Sequence, residues 1–217
     1  MGAGIAGLGF EQLVFGGLTK VFAGIIIAPI GGMIFGIALA GAIIVFLAKR
    51  KPAIVNRTFG RLQIISSAWF ALTHGANDGQ KTMGIIVLIL FSADLISEIH
   101  MPLWVIFAAA SAMGLGTFFG GYKVIKTLGV RVTRLRPYQG FAAETGGGMM
   151  LAIFAILGIP ASTTHAITGT IMGAGAARRK RAVRWKVSRQ IIFSWVITIP
   201  GAAGLGIGFT YIIHLFV

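Results

Sequence analysis

The chain has 217 residues, of which 56% are hydrophobic and 11% charged, with 19 Lys and Arg against 5 Asp and Glu for a net charge of +14. That balance leaves too little polar surface for a soluble globule of this length and places the chain in lipid. Cysteine is absent, which excludes disulfides, thiolate nucleophiles and cysteine-based metal sites.

Met1 precedes a glycine-rich stretch with no positive region, so no cleavable leader is expected. The first apolar run, Leu18 to Ala48, spaces Gly32, Gly36 and Ala40 four apart. Small residues at that interval share one helix face and let a second helix approach closely. A basic loop follows, with Lys49, Arg50 and Lys51, and then Arg57 and Arg61. Leu62 to Phe91 is a second apolar run, longer than the roughly 20 residues that one crossing requires. Its middle is His74-Gly75-Ala76-Asn77-Asp78-Gly79-Gln80-Lys81. Two glycines beside Asn77 and Asp78 predict two half-helices joined by unwound backbone.

The loop from Ser92 to Met101 carries Asp94 and Glu98 without Lys or Arg, which marks the opposite side of the membrane. A third span is expected over Pro102 to Tyr122, followed by a second basic block of Lys123, Lys126, Arg131, Arg134 and Arg136. Two shorter segments, Gly140–Leu157 and Pro160–Ala176, meet at Gly158-Ile159-Pro160 and end at a third block, from Arg178-Arg179-Lys180-Arg181 through Arg184, Lys186 and Arg189. Basic residues at both ends make the pair a hairpin that either crosses twice or dips in and returns. The last span, Ser188 to Phe216, contains Pro200-Gly201, where a lost backbone hydrogen bond should kink the helix. The fold class is therefore all-α, a polytopic transmembrane bundle in a single membrane domain over residues 1–217, with a broken helix, a helical hairpin and both termini outside. Because the basic blocks lie between spans, they read as cytoplasmic loops touching anionic lipid, and nucleic acid is not an expected partner.

Only two acids, Asp78 and Glu144, fall within apolar segments. A carboxylate at membrane depth costs about 2.5 kcal/mol or more, so it persists where a cation, a proton or a partner compensates it. Glu144 is a candidate for cation coupling; a place beside a helix N-terminus would explain it equally. Around Asp78, the oxygens of Asn77, Asp78 and Gln80 suit a hard cation, whereas amides and Lys81 suit an anion. The plainer alternative is an Asp78–Lys81 ion pair that only fixes the break. Pro160-Ala161-Ser162-Thr163-Thr164-His165 reads as a helix start, whose unpaired amides and three hydroxyls cradle phosphate oxygens or merely cap the helix. His74, Asp78 and His165 also suggest a metal site and with it an intramembrane hydrolase, but the expected break spoils their helical register. Ser162 and His165 as nucleophile and base lack an orienting carboxylate. No catalytic residue, resident metal or cofactor is therefore assigned.

His74-Gly75-Ala76-Asn77-Asp78 resembles the GAND signature of the PiT family of inorganic phosphate transporters, and Gly79-Gln80-Lys81 looks like the variant in the second half of its bacterial members. Pro160 to His165 is similar to the family's second signature, and Glu144 sits where the family has its functional glutamate. The likeness runs from about Leu62 to Ala177. It implies secondary active transport of phosphate coupled to Na⁺ or H⁺ by two inverted repeats, in a multi-pass protein of the cell inner membrane. It implies phosphate binding by Asn77, Asp78, Lys81, Ser162, Thr163 and Thr164, and cation coupling by Asn77, Asp78, Gln80 and Glu144, with His74 and His165 at the edge of the set. Only one pair of motifs is present, so the chain resembles the C-terminal half and needs a complementary N-terminal half or a second copy. The alternatives are a non-transporting assembly subunit and the metal hydrolase.

Overall fold

The structure, a computed structural model, describes residues 2–9, 11 and 14–215, without the side chains of residues 8, 123 and 180. Its regular elements are helical throughout: α1 Gly2–Leu8, α2 Phe15–Phe46, α3 Pro52–Ser92, α4 Leu103–Lys126, α5 Pro137–Ile156, α6 Thr163–Ala176 and α7 Trp185–His214. A π-helical turn, Thr127–Val132, continues α4, and a short 3₁₀ turn, Lys180–Ala182, precedes α7. Phe216, the expected end of the last span, lies outside the described residues. Pro200 is inside α7, which runs on through it.

At the centre α2 lies against α6. Gly24, Ala28, Gly32, Gly36 and Ala40, each one turn apart, are the buried residues of α2. A Cβ at Gly32 would meet the Ala166 carbonyl at 2.6 Å, and one at Gly36 would collide with that of Thr170. The relation is reciprocal, since a Cβ on Gly169 would strike the Pro29 carbonyl and one on Gly173 that of Met33. The small-residue stripe is thus a backbone-to-backbone seam, which draws its stability from close packing where lipid offers no hydrophobic drive.

The hairpin of α5 and α6 closes through a glycine-dependent turn. Gly158 has φ +61, its N–H donates to Ala155 and that of Ile159 donates to Phe154, the paired bonds of a Schellman stop. Helix α6 begins at Thr163, three residues after Pro160, with Ser162 as its N-cap. Its 14 residues rise about 21 Å, short of the ~30 Å hydrocarbon core. Gln139 holds the other end of the hairpin: it accepts from the Arg136 N–H at 3.0 Å and donates to the Ala174 carbonyl at 2.8 Å.

One expectation fails. The backbone is not unwound at His74 to Lys81, because α3 is a continuous helix of 41 residues. Gln63, Ser66, Phe70, Thr73, Asn77 and Lys81 recur at intervals of three and four, so the polar groups occupy one helical face. Asn77 Nδ2 donates to the Thr73 carbonyl at 3.0 Å and Thr82 Oγ1 to that of Asp78 at 3.3 Å, contacts that exist only in intact helical register. Glycine costs such a helix about 1 kcal/mol relative to Ala. That is too little to break it when the polar face finds partners.

Among the described residues, three helices, α2, α4 and α7, are long and apolar enough to cross a membrane. The most apolar window of α7 holds no buried residue, and Phe118 and Phe119 of α4 are likewise exposed. Apolar outer faces of this kind belong against lipid or another helical body. In thermal unfolding in detergent, Gly36→Ala should lose about 2 kcal/mol by overpacking the seam. Gly41→Ala, on the same helix with nothing within 4 Å, should be neutral or gain up to about 1 kcal/mol from helix propensity.

Candidate functional site

Asp78 gathers the polar groups of α3 and α6. Its Oδ1 accepts from Lys81 Nζ at 2.9 Å; its Oδ2 accepts from Thr163 Oγ1 at 2.9 Å and lies 3.1 Å from His74 Nε2. Helix geometry supplies two of these, since residues three and four apart share a face. The third spans from α3 to the first residue of α6. Lys81 makes a second bond, to the carbonyl of Ala161 in the hairpin turn. The carboxylate is therefore compensated by a cation and two further polar partners, which offsets the cost of holding it at depth.

The start of α6 is only partly satisfied. Ser162 Oγ accepts from the His165 N–H at 3.4 Å and the Ser162 carbonyl accepts from Ala166. The N–H groups of Thr163 and Thr164 have no acceptor among the described residues. Thr163 is buried with its hydroxyl committed to Asp78, while Thr164 is exposed. Both line a cavity of about 880 Å³ between α3, α4, α5 and α6, and so do His74 and Glu144. Free amides at a helix N-terminus beside an open cavity form an anion-binding surface.

Glu144 forms a second polar group on the same cavity wall. Ser66 donates to its Oε2 at 2.6 Å and Gln63 Nε2 to its Oε1 at 3.3 Å. A Cβ on Gly140 would collide with Gln63, so that glycine makes room for the contact. Ser66 precedes Asp78 by about 18 Å along α3, so the two carboxylates are separate rather than one cluster. Glu144 lines the cavity, whereas Asp78 and Lys81 are outside its lining and Asp78 reaches it through His74 and Thr163.

Three predicted residues point elsewhere. Asn77 is buried between α3 and α5, donating to the carbonyls of Thr73 and Leu151 at 3.0 and 3.4 Å. Gln80 is exposed and outside the cavity lining. His165 is buried against Trp195, with ring centroids 3.9 Å apart, and its Nδ1 has no hydrogen-bond partner among the described residues. His74 and Asp78 do share a helix face, but with His165 turned to Trp195 there is no group of three metal-ligating side chains among the described residues. Gln63, Ser66 and Thr73 were the partners not singled out from sequence; their signal was the three-and-four spacing of polar residues along α3.

A model of the phosphate transporter family matches residues 47–206. The chain is 45% identical over 204 residues to a Rhizobium meliloti protein named "Probable low-affinity inorganic phosphate transporter", covering 94% of this chain and 61% of that protein. A Bacillus subtilis protein of the same name is 39% identical, over 94% of this chain and 62% of that protein. The chain thus spans about three fifths of the length of these relatives. Among solved structures, one named "The sodium-dependent phosphate transporter" superposes with a TM-score of 0.82 at 21% identity, over all of this chain and 72% of the other. These names belong to transporters, and the hydrolase reading finds no support among them.

Proposed function

The chain belongs to the phosphate transporter family, and from that membership we propose that it forms one half of an inorganic phosphate transporter of the cell inner membrane, working by symport with Na⁺ or H⁺. The observation that carries this reading is the open N-terminus of α6, where Thr163 and Thr164, whose amides have no acceptor among the described residues, line the cavity. Phosphate seated there meets hydrogen-bond donors and the positive end of a helix dipole. Lys81 adds a positive charge at the hairpin turn while held by Asp78 and Ala161.

Asp78 acts in this scheme chiefly as an organiser. A carboxylate repels phosphate, so its contribution is to hold Lys81 and Thr163 in place and, with a bound cation, to join cation to substrate. Glu144, with Ser66 and Gln63 around it, is the second coupling station on the cavity wall. The sodium dependence in the structural neighbour's name supports Na⁺ as the coupling ion. Gln80, exposed and away from the cavity, and Asn77, used between helices, contribute least to ligand contact. The unburied faces of α4 and α7 suit a complementary half, which would close the cavity and allow alternating access.

With that complementary half supplied, radiolabelled phosphate uptake into proteoliposomes should fall at least about tenfold for Asp78→Asn, because one substitution loosens Lys81 and Thr163 together. Glu144→Gln should leave phosphate binding within about threefold while weakening its dependence on the cation by about tenfold. Undiminished uptake by Asp78→Asn with unchanged cation dependence would refute the assignment, and would favour an assembly subunit instead.

A further inference from the structure

A second concavity lies at the basic end of the bundle, at the opposite end of α5 from the hairpin turn. It is a cleft of about 150 Å³ between the end of α2, the start of α3 and the start of α5. Its polar lining includes Arg50, Arg136, Asn56 and Tyr138, and its apolar wall includes Ile43 and Leu47. Arg136 also borders the larger cavity. No acidic side chain pairs with Arg50 or Arg136 among the described residues, and the first turns of α3 and α5 contain no acid. Two guanidiniums and two helix N-termini therefore converge without a counter-charge.

Tyr138 gives the cleft a largely buried wall beside the two exposed arginines. The residue is only 7% exposed, yet its hydroxyl has no hydrogen-bond partner among the described residues, and it lines the cleft. The hydroxyl is not among the sealed-in polar atoms left without a partner, so it opens to the cleft, where a phenol O–H can donate to a ligand oxygen. The cleft also sits at the end of the spanning helix α2, beside Val45 and Phe46, which are 74% and 83% exposed. Apolar side chains at that level belong against acyl chains, whereas a guanidinium fork matches two oxygens of a phosphate group.

We propose that this cleft binds the phosphodiester headgroup of an anionic phospholipid, with Arg50, Arg136 and Tyr138 on the phosphate oxygens and the acyl chains along Ile43 and Leu47. Inorganic phosphate offers the same oxygens, but it has no use for the apolar wall. The lipid ties the α2–α3 turn to the α5 N-terminus, and so fixes one end of the hairpin from the membrane side.

The test titrates the 217-residue chain in neutral detergent with phosphatidylglycerol, phosphatidylcholine or inorganic phosphate, and reads binding by native mass spectrometry and thermal shift. Phosphatidylglycerol should bind at least about tenfold more tightly than phosphatidylcholine. Arg50→Gln together with Arg136→Gln should weaken it about thirtyfold, Arg50→Gln alone about fivefold and Tyr138→Phe about threefold, while Arg57→Gln, outside the cleft lining, should change it less than about twofold. Equal binding of the two lipids, or undiminished phosphatidylglycerol binding in the double variant, overturns the proposal. If the double variant does not fold, unchanged affinity in both Arg50→Gln and Tyr138→Phe overturns it equally. Displacement of the lipid by an equal concentration of inorganic phosphate reassigns the cleft to free phosphate and overturns the lipid assignment.

Discussion

A carboxylate within an apolar segment must be compensated, and the arrangement around Asp78 follows from that requirement. Left alone at depth, it would cost about 2.5 kcal/mol or more. Here Lys81, His74 and Thr163 surround it, and Lys81 reaches on to the carbonyl of Ala161. Two of these bonds, Thr163 to Asp78 and Lys81 to Ala161, run between α3 and the tip of the hairpin. Backbone packing between α3 and α6 is sparse, so the polar contacts set how the α6 N-terminus is presented to the cavity.

The other constraint on that N-terminus is steric. Glycines on both sides of the α2–α6 seam bring backbone against backbone, so α6 cannot slide without collision. One end of α6 is thus locked to α2 while its first turn, with open amides, lines the cavity. Rigid support with unsatisfied donors is the arrangement that pre-organises an anion site.

Much of this was legible in the sequence, and the limits have physical causes. The helical class follows from apolar runs between basic blocks, and the hairpin from Gly158-Ile159-Pro160 with basic residues at both ends. The seam follows from Gly32, Gly36 and Ala40 at four-residue spacing. The continuity of α3 is not evident from composition, because polar residues in an apolar run suggest a break, whereas their three-and-four phase marks one helical face. Asn77 shows the consequence: its amide serves the α3–α5 interface, a use that depends on Leu151, 74 residues away. Ser66 and Gln63 were missed for a related reason, since nothing local to them reveals that Glu144 will arrive opposite. Long-range pairings of this kind leave a periodic trace on one helix, but the partner's identity is settled only by packing.

The central claim is that phosphate is held at the N-terminus of α6 beside the Asp78 cluster. The most direct test is an experimental structure of the chain with the proposed complementary half, determined in the presence of phosphate and Na⁺. The account predicts tetrahedral density within hydrogen-bond distance of the Thr163 and Thr164 amides and the Thr164 hydroxyl, with Lys81 still held by Asp78. Phosphate bound elsewhere, with the α6 amides unoccupied, would contradict it.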